Sequence, residues 1–108
     1  MSMKLFRRHT VKDINLAVNE FRQNTDSLLI DVRSPEEYSK GHVPGSVNIP
    51  VDRIDIIETV ARSFDQTIYL YCQSGYRSRK AYKYLQQAGY LNAVDIGSVA
   101  LYSGKLEH

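Results

Sequence analysis

Thr67-Ile68-Tyr69-Leu70-Tyr71-Cys72-Gln73-Ser74-Gly75-Tyr76-Arg77-Ser78-Arg79 is the stretch that decides the reading of this chain. Its first five residues are β-branched, aromatic and apolar, the pattern of a strand buried on both faces. Cys72, the only cysteine of the chain, opens the loop that follows, and Arg77 closes it where a helix begins. Backbone N–H groups at a helix start, wrapped around one sulfur, make a site for an anion and for a thiolate. The rest of the chain reads as scaffold for that loop.

On the N-terminal side of this stretch, Ile54, Ile57, Val60 or Ala61, and Phe64 recur at helical spacing and predict an amphipathic helix. On the other side, Ala81, Tyr84, Leu85 and Ala88 predict the inner face of a helix, with Lys80, Lys83, Gln86 and Gln87 outside and Gly89 as its C-terminal cap. Ala93-Val94-Asp95-Ile96 reads as a last short strand, and Gly97-Ser98 turns into a short terminal helix.

Further upstream, Thr10-Val11-Lys12-Asp13 has the spacing of a capping box. Val11, Ile14, Ala17 or Val18, and Phe21 then mark a first helix ending near Asn24. Leu28-Leu29-Ile30 is a second buried strand, with Asp31-Val32-Arg33 at its C-terminal end. Ser34-Pro35-Glu36-Glu37 is a strong helix start, and Gly41 keeps that helix short. Residues 41–50, punctuated by glycine and proline, form a loop around a brief extended segment. Strands alternating with helices predict an α/β fold with a mainly parallel central sheet.

A chain of 108 residues is one domain with a single core. Its net charge of +2 is mild and its basic residues are scattered, which argues against nucleic-acid or membrane binding. No apolar run approaches the roughly 20 residues of a membrane span. The first eight residues lack the apolar core of a secretion signal, so a cytoplasmic location is expected, although a mature periplasmic form would look the same. One cysteine cannot form an internal disulfide. Without a second histidine or cysteine at ligand spacing, neither a metal nor another cofactor is expected. Leu106-Glu107-His108 resembles an expression-tag scar, leaving residues 1–105 as the expected domain.

Two motifs together resemble the rhodanese family of sulfurtransferases. The first is Asp31-Val32-Arg33-Ser34-Pro35-Glu36-Glu37-Tyr38, continuing through Gly41-His42-Val43-Pro44-Gly45-Ser46-Val47-Asn48-Ile49-Pro50. The second is Cys72-Gln73-Ser74-Gly75-Tyr76-Arg77-Ser78. The likeness extends over nearly the whole chain, at the length of a single-domain member. In the last segment, family members often carry a paired glycine and then a tryptophan; here Gly97 alone of the pair is kept and Tyr102 stands in the place of the indole.

The resemblance implies a rhodanese-like sheet with helices on both faces, and a reaction. Cys72 would take the outer sulfur of thiosulfate as a persulfide and pass it to an acceptor: cyanide, a thiol, or a thioredoxin-like or other acceptor protein. Gln73, Ser74, Gly75, Tyr76, Arg77 and Ser78 would form the binding loop, their amides converging on the sulfur. Arg77 would hold the sulfonate oxygens or orient the loop, and the Ser78 hydroxyl would donate toward the persulfide. This surrounding favours a thiolate. Arg77-Ser78 leans toward thiosulfate over mercaptopyruvate as donor. Related phosphatases have one more residue between cysteine and arginine, so a phosphate would be crowded by the four found here, Gln73 to Tyr76. Phosphatase or arsenate-reductase activity is accordingly disfavoured.

Each site residue also has a plainer reading. A lone cysteine at a strand end is usually a small buried hydrophobe, and only the loop around Cys72 reverses that. Asp31, Arg33 and Glu37 are expected to form one ion-pair network supporting the loop after the first strand. His42 is expected to be a loop hydrogen-bond partner, with Asp31 as the candidate acceptor. Two rivals to the enzyme remain open on sequence alone: a binding or regulatory module that keeps the fold without turnover, and a persulfide carrier that docks on another protein.

Overall fold

A computed structural model describes residues 13–108. The elements in chain order are α1 (Ile14–Gln23), β1 (Leu28–Asp31), α2 (Pro35–Lys40), β2 (Val47–Asn48), a 3-10 turn (Val51–Ile56), α3 (Ile57–Val60), β3 (Ile68–Cys72), α4 (Tyr76–Ala88), β4 (Ala93–Ser98) and a closing 3-10 turn (Val99–Leu101). The four strands lie in the order β2-β1-β3-β4, and every pairing is parallel. The expected α/β architecture is therefore present, with β3 in the interior of the sheet and wholly buried.

Alternation along the strands divides the core in two. Ile30, Ile68, Leu70 and Cys72 point to one face and pack with Ile54, Ile57, Ala81 and Leu85 from the helical segments there. Leu29, Tyr69 and Tyr71 point to the other face and pack with Ile14, Ala17 and Val18 of α1 and with Val99. Successive strand residues face opposite ways, so a continuous apolar run serves both layers. Helices cover both faces.

Parallel pairing also puts the site together. In-register neighbours β1 and β3, with Asp31 opposite Tyr71, end side by side, so the loops leaving them emerge at one edge of the sheet. That edge, beyond the C-terminal ends of parallel strands, is the usual place for ligands in open α/β sheets. Among the described residues, no helix is long and apolar enough to cross a membrane.

Several local expectations need correction. Thr10 and Val11 lie outside the described residues; Asp13 is the N-cap of α1, its carboxylate accepting the Asn15 N–H at 2.8 Å. The segment from Ile54 to Phe64 is not one helix. It is a 3-10 turn followed by a single α-helical turn, and Phe64 lies beyond it, exposed, with its ring 4.7 Å from that of Tyr90. On α4 the buried residues are Ser78, Ala81 and Leu85, whereas Tyr84 is partly exposed. The exposed terminal residues 106–108 touch the rest of the chain through two backbone hydrogen bonds of 2.8 and 2.9 Å exchanged between His42 and Glu107.

Candidate active site

The Cys72 sulfur is built into the start of α4. Gly75, the N-cap, has φ +92°, a left-handed turn that glycine adopts without a Cβ penalty, and it has no side chain to satisfy the free N–H groups of the first turn. The sulfur takes over that task, accepting the Gly75 N–H at 2.9 Å and the Ser78 N–H at 3.3 Å. Ser78 is the third residue of the helix, the position that an N-cap side chain ordinarily serves. Cys72 thus caps its own helix from three residues before it, with the positive end of the helix dipole aimed at the sulfur. Of the loop amides expected to converge on the sulfur, these two are within hydrogen-bond distance, and the Ser78 hydroxyl oxygen lies 3.5 Å from it.

Arg77 makes its hydrogen bonds away from the sulfur, although its charge still reaches Cys72. Its guanidinium grips Glu37 of α2 in a two-point pair, Nη1 to Oε1 at 2.7 Å and Nη2 to Oε2 at 3.0 Å. The same Glu37 closes the capping box of α2, accepting the Ser34 N–H at 2.9 Å. The Arg77 hydrogen bonds, helped by those from Ser34, pull the Glu37 carboxyl down from 4.5 to about 2 against a partial burial that works the other way. Of the two roles expected for Arg77, orienting the loop is the one its contacts serve.

Within the expected network of Asp31, Arg33 and Glu37 the hydrogen bonds fall into two pairs, Asp31 with Arg33 and Glu37 with Arg77, which still act on one another through charge. Asp31, wholly buried, pairs with Arg33, whose Nη2 lies 2.8 Å from Oδ2. Arg33 Nη2 also donates to the Gly41 carbonyl at 2.6 Å, and Nη1 lies 3.4 Å from Gln73 Oε1. Arg33 therefore ties the end of α2 and the Cys72 loop to the end of β1. His42 is a loop hydrogen-bond partner, but not of Asp31. Its Nδ1–H donates to the Tyr38 carbonyl at 2.8 Å, and its ring stacks on Tyr38 with centroids 3.7 Å apart. Gln73 and Ser74 are exposed, and so is Tyr76, at 76 % of its full accessibility on the rim of the loop.

Two further residues at the site come from β4. Asp95 is buried, and its Oδ1 accepts the Ser78 hydroxyl at 2.7 Å and the Gly97 N–H at 3.0 Å. Ser98, standing where the family pattern has its second glycine, donates from Oγ to the Gln73 carbonyl. Leu70 pairs with Asp95, which puts Asp95 on the Cys72 face while Ile96 joins the other core, and a bulge follows, with Tyr71 paired to Gly97. One signal was available in the sequence: an aspartate within an apolar strand needs a partner when buried.

A cleft of about 410 Å³ opens beside the loop, lined by residues that include Ser34, Val51, Tyr76, Arg77 and Lys80. Cys72 does not line it and is wholly buried, so the sulfur lies behind the loop rather than in the cleft.

The family model of the rhodanese-like domain matches residues 16–103, a span that includes both the Asp31–Glu37 region and the Cys72 loop. The chain belongs to the rhodanese-like family. This rhodanese-like chain is 34% identical over 97 residues to "Adenylyltransferase and sulfurtransferase uba4" of Ogataea parapolymorpha, a match covering 89% of this chain and 25% of that protein. It is 35% identical over 71 residues to "Thiosulfate sulfurtransferase PspE" of Escherichia coli, covering 65% of this chain and 68% of that protein. Among solved structures, "rhodanese with anions from E. coli" superposes with a TM-score of 0.71 at 30% identity, covering 75% of this chain and 96% of that one. This chain therefore spans only a quarter of its yeast relative and about two thirds of the bacterial one.

Proposed function

We propose that this rhodanese-like chain is a sulfurtransferase that moves the sulfane sulfur of thiosulfate to a thiophilic acceptor through a persulfide on Cys72. The observation that carries the reading is the Cys72 sulfur held as the acceptor of the Gly75 and Ser78 N–H groups, at 2.9 and 3.3 Å, at the start of α4. N–H groups and a helix start favour the thiolate, which is the nucleophilic form of cysteine.

In the first step the Cys72 thiolate attacks the outer sulfur of thiosulfate. A bond forms between Sγ and that sulfur, the S–S bond of thiosulfate breaks, and its electron pair leaves with sulfite. The negative charge now rests on the outer sulfur of the persulfide. In the second step cyanide or an acceptor thiolate attacks the outer sulfur, and the Sγ–S bond breaks to return the Cys72 thiolate. This is covalent catalysis in two displacements. Arg77, engaged by Glu37, keeps the loop closed on the sulfur. Arg79 and Lys80, exposed on the first turns of α4, supply positive charge for the approach of a dianionic donor.

Intact mass spectrometry after thiosulfate treatment tests the reading. The wild type is expected to gain one sulfur, about 32 mass units for a covalent persulfide intermediate, and to lose it on addition of cyanide. Cys72→Ser is expected to gain nothing. A folded, reduced wild type that acquires no sulfur would overturn thiosulfate as the donor and favour a binding module that keeps the fold without turnover.

A further inference from the structure

Asp95 is a buried carboxylate without a cation beside it: its described partners are the Ser78 hydroxyl at 2.7 Å and the Gly97 N–H at 3.0 Å. Ser78 in turn lies with its Oγ 3.5 Å from the Cys72 sulfur and is itself wholly buried. Sulfur, hydroxyl and carboxylate thus form a continuous line of hydrogen-bond contacts from β3 across the first turn of α4 to β4.

A serine hydroxyl has one proton to give. The shortest contact of Ser78 Oγ is to Asp95, with the Gly75 carbonyl a longer alternative at 3.2 Å. With that proton committed to Asp95, the face of Oγ turned to Cys72 is a lone pair, and the thiol is the donor in the remaining contact. When Cys72 carries its proton, the arrangement reads Sγ–H to Oγ, then Oγ–H to Oδ1. The expectation that Ser78 donates toward the sulfur is met only when the protons along this line have moved.

We infer that Asp95 is a positioning residue for sulfur transfer which, acting through the Ser78 hydroxyl, takes up the thiol proton as the Cys72 sulfur becomes an anion. The inference rests on Cys72 being the nucleophile of the proposed reaction. Ahead of the attack, the Sγ–H bond breaks and its proton passes to Ser78 Oγ, while the proton already on Oγ passes to Asp95 Oδ1, leaving the thiolate. The electron pair left on Sγ forms the bond to the sulfane sulfur, and the pair of the cleaved S–S bond departs with sulfite. When the acceptor releases the Cys72 thiolate, the two protons retrace the line. The buried group carries one negative charge throughout, so an anionic sulfur appears without a second unpaired charge in the interior, where such a charge is costly.

The neighbouring ionisable groups are paired with other residues or lie on the exposed side of α4, while the Arg77 charge also reaches Cys72. Arg77 of α4 pairs with Glu37 of α2, and Arg33 pairs with Asp31 of β1. Arg79, Lys80 and Lys83 lie on the exposed side of α4, and Tyr82 is half-buried against the core on the Cys72 side of the sheet. Tyr71 of β3 points to the opposite face of the sheet.

The test is single-turnover persulfide formation from thiosulfate, followed by intact mass at about pH 5.5 and about pH 8.5, conditions bracketing a range in which proton transfer by a side chain matters. It compares wild type, Asp95→Asn, Ser78→Ala and the double variant. Asp95→Asn is expected to slow the step by about tenfold or more at the acidic pH, toward the lower end of what a positioned proton acceptor contributes. At the alkaline pH, where the solvent removes the proton, the loss should be much smaller. Ser78→Ala should show the same pH-selective loss, and the double variant should be no slower than the slower single variant. Equal losses at both pH values would mark a purely structural role and overturn the inference. A faster Asp95→Asn at acidic pH would show that the carboxylate only repels the forming thiolate, and losses that multiply in the double variant would show that Asp95 does not act through Ser78. If Asp95→Asn does not fold, the pH pattern of Ser78→Ala decides alone. A wild type that forms no persulfide is a different failure: it removes the nucleophile reading and this inference with it.

Discussion

Tyr71 and Cys72 are consecutive residues of one strand, both wholly buried, each presenting a single polar atom to the protein interior. They point to opposite faces of the sheet, and there the likeness ends. The Tyr71 oxygen accepts the Val43 N–H at 3.0 Å and lies 3.2 Å from Ser46 Oγ, whose own proton goes to the Val43 carbonyl at 2.7 Å. The tyrosine is left to donate to Ser46 or toward the Asp31 carboxylate, both acceptors for a neutral phenol. Burial pushes the Tyr71 phenol well above its ordinary range, so it stays neutral. The Cys72 sulfur instead meets two N–H donors, a helix start and a hydroxyl whose proton is held by another residue. Equal burial serves the fold on one side and makes a chemical site on the other, and the difference lies in whether the donors point at an atom that can carry charge.

Exchanging polar atoms on the two sides should separate these roles. Cys72→Ser has the largest expected effect on activity, complete loss of persulfide formation, with a small change in the urea midpoint because the hydroxyl can still accept from the helix start. Tyr71→Phe should do the reverse. Removing the hydroxyl leaves the buried Val43 N–H unsatisfied and costs about 1–3 kcal/mol in stability, measured by urea unfolding, while persulfide formation by the folded protein persists. If Tyr71→Phe instead abolished persulfide formation in a folded protein, the division between the two faces would fail.

Gly75→Ala sharpens the chemical side. A Cβ there meets no atom closer than 4.0 Å, so the expected cost is conformational: about 1–2 kcal/mol for a left-handed turn in a residue with a side chain. Thiosulfate turnover should fall more than stability alone explains, since the Gly75 N–H is the shorter of the two contacts with the sulfur.

The smallest effect is expected from Glu37→Gln and is seen only in acid. With its carboxyl lowered to about 2, Glu37 stabilises the folded state above its ordinary value of 4.5, and that contribution disappears as the pH falls toward 2. Wild type should therefore lose its stability advantage over the variant across this window. About a third of each partner side chain is exposed, so solvent screening keeps the advantage modest. Thermal unfolding at pH 6 and pH 3 would measure it, and an unchanging gap would show that Glu37 is not paired in solution.

The readings that held were those with a local physical cause. Ser34-Pro35-Glu36-Glu37 announces a capping box because cap, proline and glutamate lie within one turn, and all three take their expected places in α2. The runs at residues 28–30 and 67–71 announce buried strands because no charged side chain interrupts them. The Phe64 expectation failed because helical spacing alone does not say whether a segment winds as 3-10 or α, or where it stops. His42 was assigned to Asp31 by nearness in the motif, yet Arg33 already fills that carboxylate and the imidazole stacks on Tyr38 instead.

By itself the sequence determined the α/β order of elements, the strand that leads to Cys72 and the loop that turns through Gly75 into α4. All of these follow from periodicity, turn chemistry and capping within a few residues. That Cys72 closes the strand rather than opening the loop came from the structure. Only the tertiary structure decided what the loop touches. Arg77 is turned to Glu37 by the parallel neighbourhood of β1 and β3, and pairing with Leu70 puts Asp95 on the face of Cys72, where it meets Ser78. Those contacts join residues 17 to 40 positions apart. Their geometry is set by strand register and helix packing, which no local pattern in the chain encodes.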